Sequence, residues 1–230
     1  MTAALAGEAS PKAFGILGGT FDPVHLGHLA VAREALAELD LDHVLFVPNA
    51  DPPHKQDQDV LPAAQREAMV ALAIESEPAF VLDRIELERA GTSYAVDTVA
   101  ELAERSRAEG RPEPWFVMSA EAADGLGSWR EPERLLELCR VAVAPRPGAP
   151  PLDASWAAER HRGKESRFAF LPGPELDIAS TDIRERVAAG RSIDGLVPPA
   201  VARYIEGNRL YVEGGGESFR ISAPAARSAA

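Results

Sequence analysis

The chain reads as an α/β protein, a doubly wound parallel sheet with crossover helices and a small C-terminal helical part. Three observations predict this. Short apolar runs alternate about five times with longer stretches whose apolar residues recur at spacings of three and four. The 230 residues suffice for one sizeable core and are few for two. The first apolar run hands over to a helical pattern through a glycine-rich turn, "GGTFDPVHLGHLA".

Taken in order, "AFGIL" (Ala13–Leu17) is a strand ahead of the helical pattern His28–Leu39. "HVLFV" (His43–Val47) precedes Pro62–Ser76, and "AFVLDRIEL" (Ala79–Leu87) precedes Tyr94–Ala108. "WFVMS" (Trp115–Ser119) leads into Glu131–Cys139, "VAVA" (Val141–Ala144) into a weaker pattern at Asp153–His161, and "RFAFL" (Arg167–Leu171) is the sixth strand. Two helices follow. Ser180–Gly190 opens on a hydroxyl cap and closes on glycine, and Pro198–Gly207 has proline near its start. Residues 1–12 are expected to be a flexible extension, 13–212 a single domain, and the Gly-, Ser- and Ala-rich residues 213–230 a disordered tail.

Net charge is −12 and the pI about 4.9. That balance argues against a broad nucleic-acid surface, which neutralises phosphates with clustered Lys and Arg. A small anionic ligand needs only a few local cations. The one cysteine, Cys139 in "RLLELCR", excludes a disulfide within the chain and a cysteine-rich metal site, and reads as core packing. "MTAALAGEASPKA" lacks a basic stretch followed by an apolar core, and no run approaches the length of a membrane span. A cytoplasmic protein with no membrane partner is expected, and a homo-oligomer is left open.

In an open parallel sheet the ligand lies beyond the carboxyl ends of the strands, so the turn after the first strand is the first place to look for chemistry. Gly18 and Gly19 lack a Cβ, which allows close approach to a phosphate and dihedrals closed to other residues. His25 and His28, three apart at a helix start, share a face, and Gly27 leaves space between them. The helix N-terminus adds a field that favours negative charge. A plain turn, a surface histidine pair and half of a metal site are the other readings; no third ligand of obvious spacing appears, and the redox fingerprint G-x-G-x-x-G is absent.

The stretch as a whole resembles the H-x-G-H motif of the nucleotidyltransferase superfamily, here "HLGH" after "GGTFDPV". "VPNADPPHK", "SYAVDT", "SW", "RPG", "IASTDIR" and "VPPAVARYI" follow in the order and at the distances seen in bacterial nicotinate-nucleotide adenylyltransferases, so the resemblance covers about Gly15 to Val212. It implies a Rossmann-like fold. It also implies transfer of AMP from ATP to nicotinate mononucleotide, giving the dinucleotide and pyrophosphate, with Mg²⁺ carried on the ATP phosphates and no dedicated protein metal site. A nicotinamide-mononucleotide or dual-specificity adenylyltransferase of the same fold, and a catalytically silent nucleotide-binding module, are the rival readings.

Carried over residue by residue, the resemblance gives His25, His28 and Arg184 catalytic roles, with His28 stabilising the α-phosphate. Gly18, Gly19, Thr20, Phe21, Arg146, Ser180 and Thr181 fall on the ATP side, the last two with Arg184 at a helix start suited to the β- and γ-phosphates. Asp22 is expected to order the loop around itself. His54 and Lys55 face the acceptor, Tyr94 and Ala95 offer backbone amides to its carboxylate, and Trp129 stacks on its ring. The chain departs from the family pattern at three places. Ser119 and Glu121 stand where Gly and Asp are usual beside the nucleotide, Arg130 stands where an aromatic is common, and Ala179 replaces a serine.

Overall fold

The structure, a computed structural model, describes residues 11–50, 60–89, 91–145, 148, 150–173 and 176–212. Residues 1–10 and 213–230, on which the expectations of a flexible extension and a disordered tail mostly fall, lie outside the described residues. Six strands, β1 (Gly15–Gly19), β2 (Val44–Pro48), β3 (Phe80–Leu82), β4 (Trp115–Ser119), β5 (Arg140–Ala144) and β6 (Phe168–Phe170), form one all-parallel sheet in the order β3-β2-β1-β4-β5-β6. This is the doubly wound order, in which successive strands are added outward one way from β1 to β3 and the opposite way from β4 to β6.

Side chains alternate across the sheet and build a core on each face. Leu17, Phe46, Val117 and Ala142 pack under α1 (Leu26–Glu38), α2 (Ala63–Ile74), α8 (Ser180–Ala188) and α9 (Pro199–Gly207). Ile16, Leu45, Phe116 and Val141 pack under α3 (Ile85–Glu88), α4 (Ala95–Ala108), α5 (Ala120–Asp124), α6 (Pro132–Leu138) and α7 (Ala154–Arg160). Cys139 is buried in the second core and donates to the Leu135 carbonyl at 3.3 Å, and burial pushes its thiol up to about 12.

Three differences from the sequence reading matter for the site. The strand expected over Ala79–Leu87 stops at Leu82, because the Asp83 carboxylate accepts from Ile85 N–H at 3.0 Å and turns the chain into α3. β1 runs on to Gly19, so both glycines are strand residues without a left-handed φ; Phe21, at φ 51°, makes the turn. α8 is preceded by Ala179 with no side-chain cap, so the expected hydroxyl cap is absent and Ser180 is the first helical residue. Pairing of β1 with β2 continues to Gly19, whereas pairing of β1 with β4 spans only Gly15 and Ile16. The sheet therefore opens at its switch point.

Candidate active site

His25 precedes α1 in an extended conformation, and its backbone N–H donates to His28 Nδ1 at 3.2 Å. An Nδ1 that accepts carries no proton, so the neutral His28 ring holds its hydrogen on Nε2 and presents a donor there. The two rings stack at 3.7 Å, and the edge of Phe21 meets His28 at 5.0 Å. Burial brings His25 down to about 4, and burial together with the neighbouring His25 holds His28 well below its ordinary value. Both are neutral donors at physiological pH. A Cβ on Gly27 would lie 3.0 Å from His25 Nδ1 and one on Gly19 3.2 Å from the Phe21 ring. These glycines therefore make room for the protein's own rings.

The loop after β1 is held from three directions. Asp22 is buried, with Oδ1 accepting from the Tyr211 hydroxyl at 2.6 Å and Oδ2 from Leu61 N–H at 3.4 Å. Burial and the Asp22 carboxylate raise the Tyr211 phenol, which keeps it a donor. Arg184 Nη1 donates to the Asp22 carbonyl at 2.8 Å, and Ser180 Oγ donates to the Pro23 carbonyl at 2.9 Å. Thr181 Oγ1 accepts from Arg184 Nη2 at 3.4 Å. The uncapped start of α8 is thus fastened beside the histidine-bearing loop. Arg66, 1 % exposed, ties in α2: it donates to the carbonyls of Leu61, Thr20 and Ala50 and to Asn49 Oδ1.

On the other face a cavity of about 570 Å³ opens between the ends of β1, β2 and β4, with Gly18, Gly19 and Thr20 along one wall. Tyr94, Ala95 and Trp129, which the sequence reading places on the acceptor side, all line it. Tyr94 precedes α4 with no side-chain cap, so first-turn amides are available there. The Ser93 hydroxyl is buried in the same wall with no hydrogen-bond partner. Trp129 stands edge-on to Phe116 at 6.1 Å, and the Arg130 guanidinium lies 4.5 Å over the Tyr94 ring. Glu86 also faces the cavity, its Oε1 accepting from Thr98 Oγ1 at 2.8 Å, and burial raises its carboxyl. Ser119 and Glu121 lie at the end of β4 and in α5, where Ser119 Oγ caps the helix by accepting from Ala122 N–H at 3.2 Å. His54, Lys55 and Arg146 lie outside the described residues.

The cytidylyltransferase-like family model matches residues 16–186. A relative from Roseiflexus sp. (strain RS-1), named "Probable nicotinate-nucleotide adenylyltransferase", is 42% identical over 202 residues, covering 88% of this chain and 99% of its own. The chain belongs to the nicotinate-nucleotide adenylyltransferase family. A second member, from Symbiobacterium thermophilum, is also 42% identical and is covered over 95% of its length. The fold matches the Plasmodium falciparum nicotinic acid mononucleotide adenylyltransferase complexed with NaAD, at a TM-score of 0.70 and 19% identity over 87% of this chain and 97% of that one.

Within this adenylyltransferase family member, the sequence reading missed Arg66, Ser93, Glu86 and Tyr211. Arg66 left a signal: it lies on the buried stripe of α2 with Met69, Val70, Ala73 and Ile74, an interior position for a cation. Ser93 lay inside the quoted "SYAVDT" without being singled out, and Glu86 and Tyr211 left no signal because their roles depend on contacts between separate segments.

Proposed function

We propose that the chain transfers the adenylyl group of ATP to nicotinate mononucleotide. A phosphate oxygen of the acceptor forms a bond to the α-phosphorus as the bond from that phosphorus to the bridging oxygen breaks, and pyrophosphate leaves. The protein's task is alignment of two anions and stabilisation of charge developing on the α-phosphate. His28 Nε2–H, fixed as a donor by the His25 amide, supplies the central contact, with His25 beside it. Arg184 and the first-turn amides at Ser180 and Thr181 take the β- and γ-phosphates, and Ser119 and Glu121 lie on the nucleoside side. Mg²⁺ enters on the ATP phosphates: the Asp22 carboxylate, close to the histidines in sequence, is already occupied by Tyr211 and Leu61.

The observation that carries this reading is adjacency. Gly18, Gly19 and Thr20 line the aromatic cavity and the next residue, Phe21, meets the His28 ring, so one short segment at the point where the sheet opens runs from the cavity to the neutral histidine pair. No helix among the described residues is long and apolar enough to cross a membrane, and a cytoplasmic enzyme is the proposed setting. The test is pyrophosphate release from MgATP, measured without acceptor and with nicotinate or nicotinamide mononucleotide. Release that requires the acid acceptor supports the proposal, and no release with either acceptor refutes it.

A further inference from the structure

The acceptor cavity contains a charge problem that backbone amides alone do not solve. Glu86 lines it, buried beneath α4, its carboxyl raised by burial and only partly offset by Arg89, which donates to the same Thr98 hydroxyl, so an acceptor bearing a ring carboxylate brings a second acidic group into the same space. Like charges in a partly desolvated cavity repel by an amount that a neutral carboxamide would escape. The uncapped first turn of α4 and the unpartnered Ser93 hydroxyl offer hydrogen bonds but only partial positive charge.

Among the described residues that line the cavity, one cation is present, Arg130. Its guanidinium is held 4.5 Å over the Tyr94 ring, and Tyr94 is the residue that opens α4. Its pairing with Glu131 is loose, at 3.6 Å and in solvent, while Glu131 is also engaged by Arg134 at 3.1 Å. The guanidinium therefore keeps donors for a further anion.

We propose that Arg130 is a specificity-determining residue of the acceptor site, its ring-stacked guanidinium supplying the charge that selects an acceptor with a ring carboxylate over the neutral carboxamide. The proposal rests on the adenylyltransferase reading for the identity of the acceptor. It concerns binding, however, and so is separable from turnover.

The test is calorimetric binding of nicotinate mononucleotide and nicotinamide mononucleotide to the parent, to Arg130→Gln and to Arg130→Lys. For Arg130→Gln the Kd of the acid should rise about tenfold, the loss of one charge-assisted contact, while that of the amide moves less than about twofold. Arg130→Lys keeps the charge and should recover part of the difference. The proposal is overturned if Arg130→Gln leaves both affinities unchanged, weakens both equally, or if the parent binds neither acceptor. Binding of both acceptors with the expected Arg130 effect, but no pyrophosphate release from ATP, would instead refute the transfer reaction and leave the role of Arg130 standing.

Discussion

Two imidazoles kept neutral by burial decide what His25 and His28 can do. A protonated His28 could not accept the His25 amide at Nδ1, so the observed bond and the lowered basicity describe the same state. In ligand-free protein the His25 imidazole should titrate near 4, and neither ring should titrate near 6.5, which carbon–proton correlation spectra of the imidazoles can follow. A midpoint near 6.5 for either ring would remove the neutral-donor argument. His28→Ala should lower kcat by about a hundredfold or more with smaller changes in KM, as expected when one transition-state donor is lost. Steady-state kinetics on a variant shown to be folded by circular dichroism checks this. The histidine pair was legible in the sequence because its spacing places both rings on one helix face. The use of Gly19 and Gly27 was not: a glycine beside a helix start reads equally well as a phosphate cradle and as space for a neighbouring ring.

Elements set the loop between β1 and α1, and no single one of them suffices. α2 reaches it through Arg66, α8 through Arg184 and Ser180, and the segment after α9 through Tyr211. Tyr211→Phe keeps the ring and leaves Asp22 Oδ1 buried without its donor, which should cost about 1–3 kcal/mol in stability. Because the Asp22 carbonyl also holds Arg184, the KM for ATP should rise more than the KM for the acceptor. Denaturant unfolding and substrate-resolved kinetics measure the two effects, and a stability loss with unchanged ATP kinetics would reduce Tyr211 to a structural contact. Strands and long helices were legible from apolar spacing, which is imposed by the two cores. α3 and α5 were not, since elements of 4 and 5 residues span barely one helical turn and carry no periodicity. Asp83 helps turn the nine residues expected as one strand into a three-residue strand and a helical turn, a local hydrogen bond overriding strand pattern.

For the molecule as a whole, the parallel α/β class followed from alternation of strand and helix, but the strand order and the early end of β1–β4 pairing beside the cavity are properties of the assembled sheet. The same assembly buries groups whose titration couples site to stability, and they act with opposite signs. His25 is depressed to about 4, so between that value and its ordinary 6.5 the unfolded chain binds the proton that the folded chain refuses. Its contribution is present above 6.5 and is lost as pH falls through the window, an effect of roughly 3 kcal/mol for a single group of this kind. Glu86 is raised above its ordinary 4.5 by burial, so the folded chain takes up its proton first and stability rises as pH falls through that window. Glu86→Gln removes the charge and keeps an oxygen that can accept from Thr98. The variant should therefore melt above the parent at pH 7.5, and the difference should shrink toward zero as pH falls to 4.5 and below, where the parent's carboxyl is also neutral. His25→Gln should show the complementary pattern, with a shallower loss of Tm than the parent between pH 6.5 and 4 because the group that resists protonation is gone. Differential scanning calorimetry of the three proteins across pH 4 to 7.5 reads both effects together. A Glu86→Gln variant that melts below the parent at pH 7.5 would mean that the charged carboxylate holds α3 against α4 through Thr98, and that its burial is stabilising despite the loss of solvation.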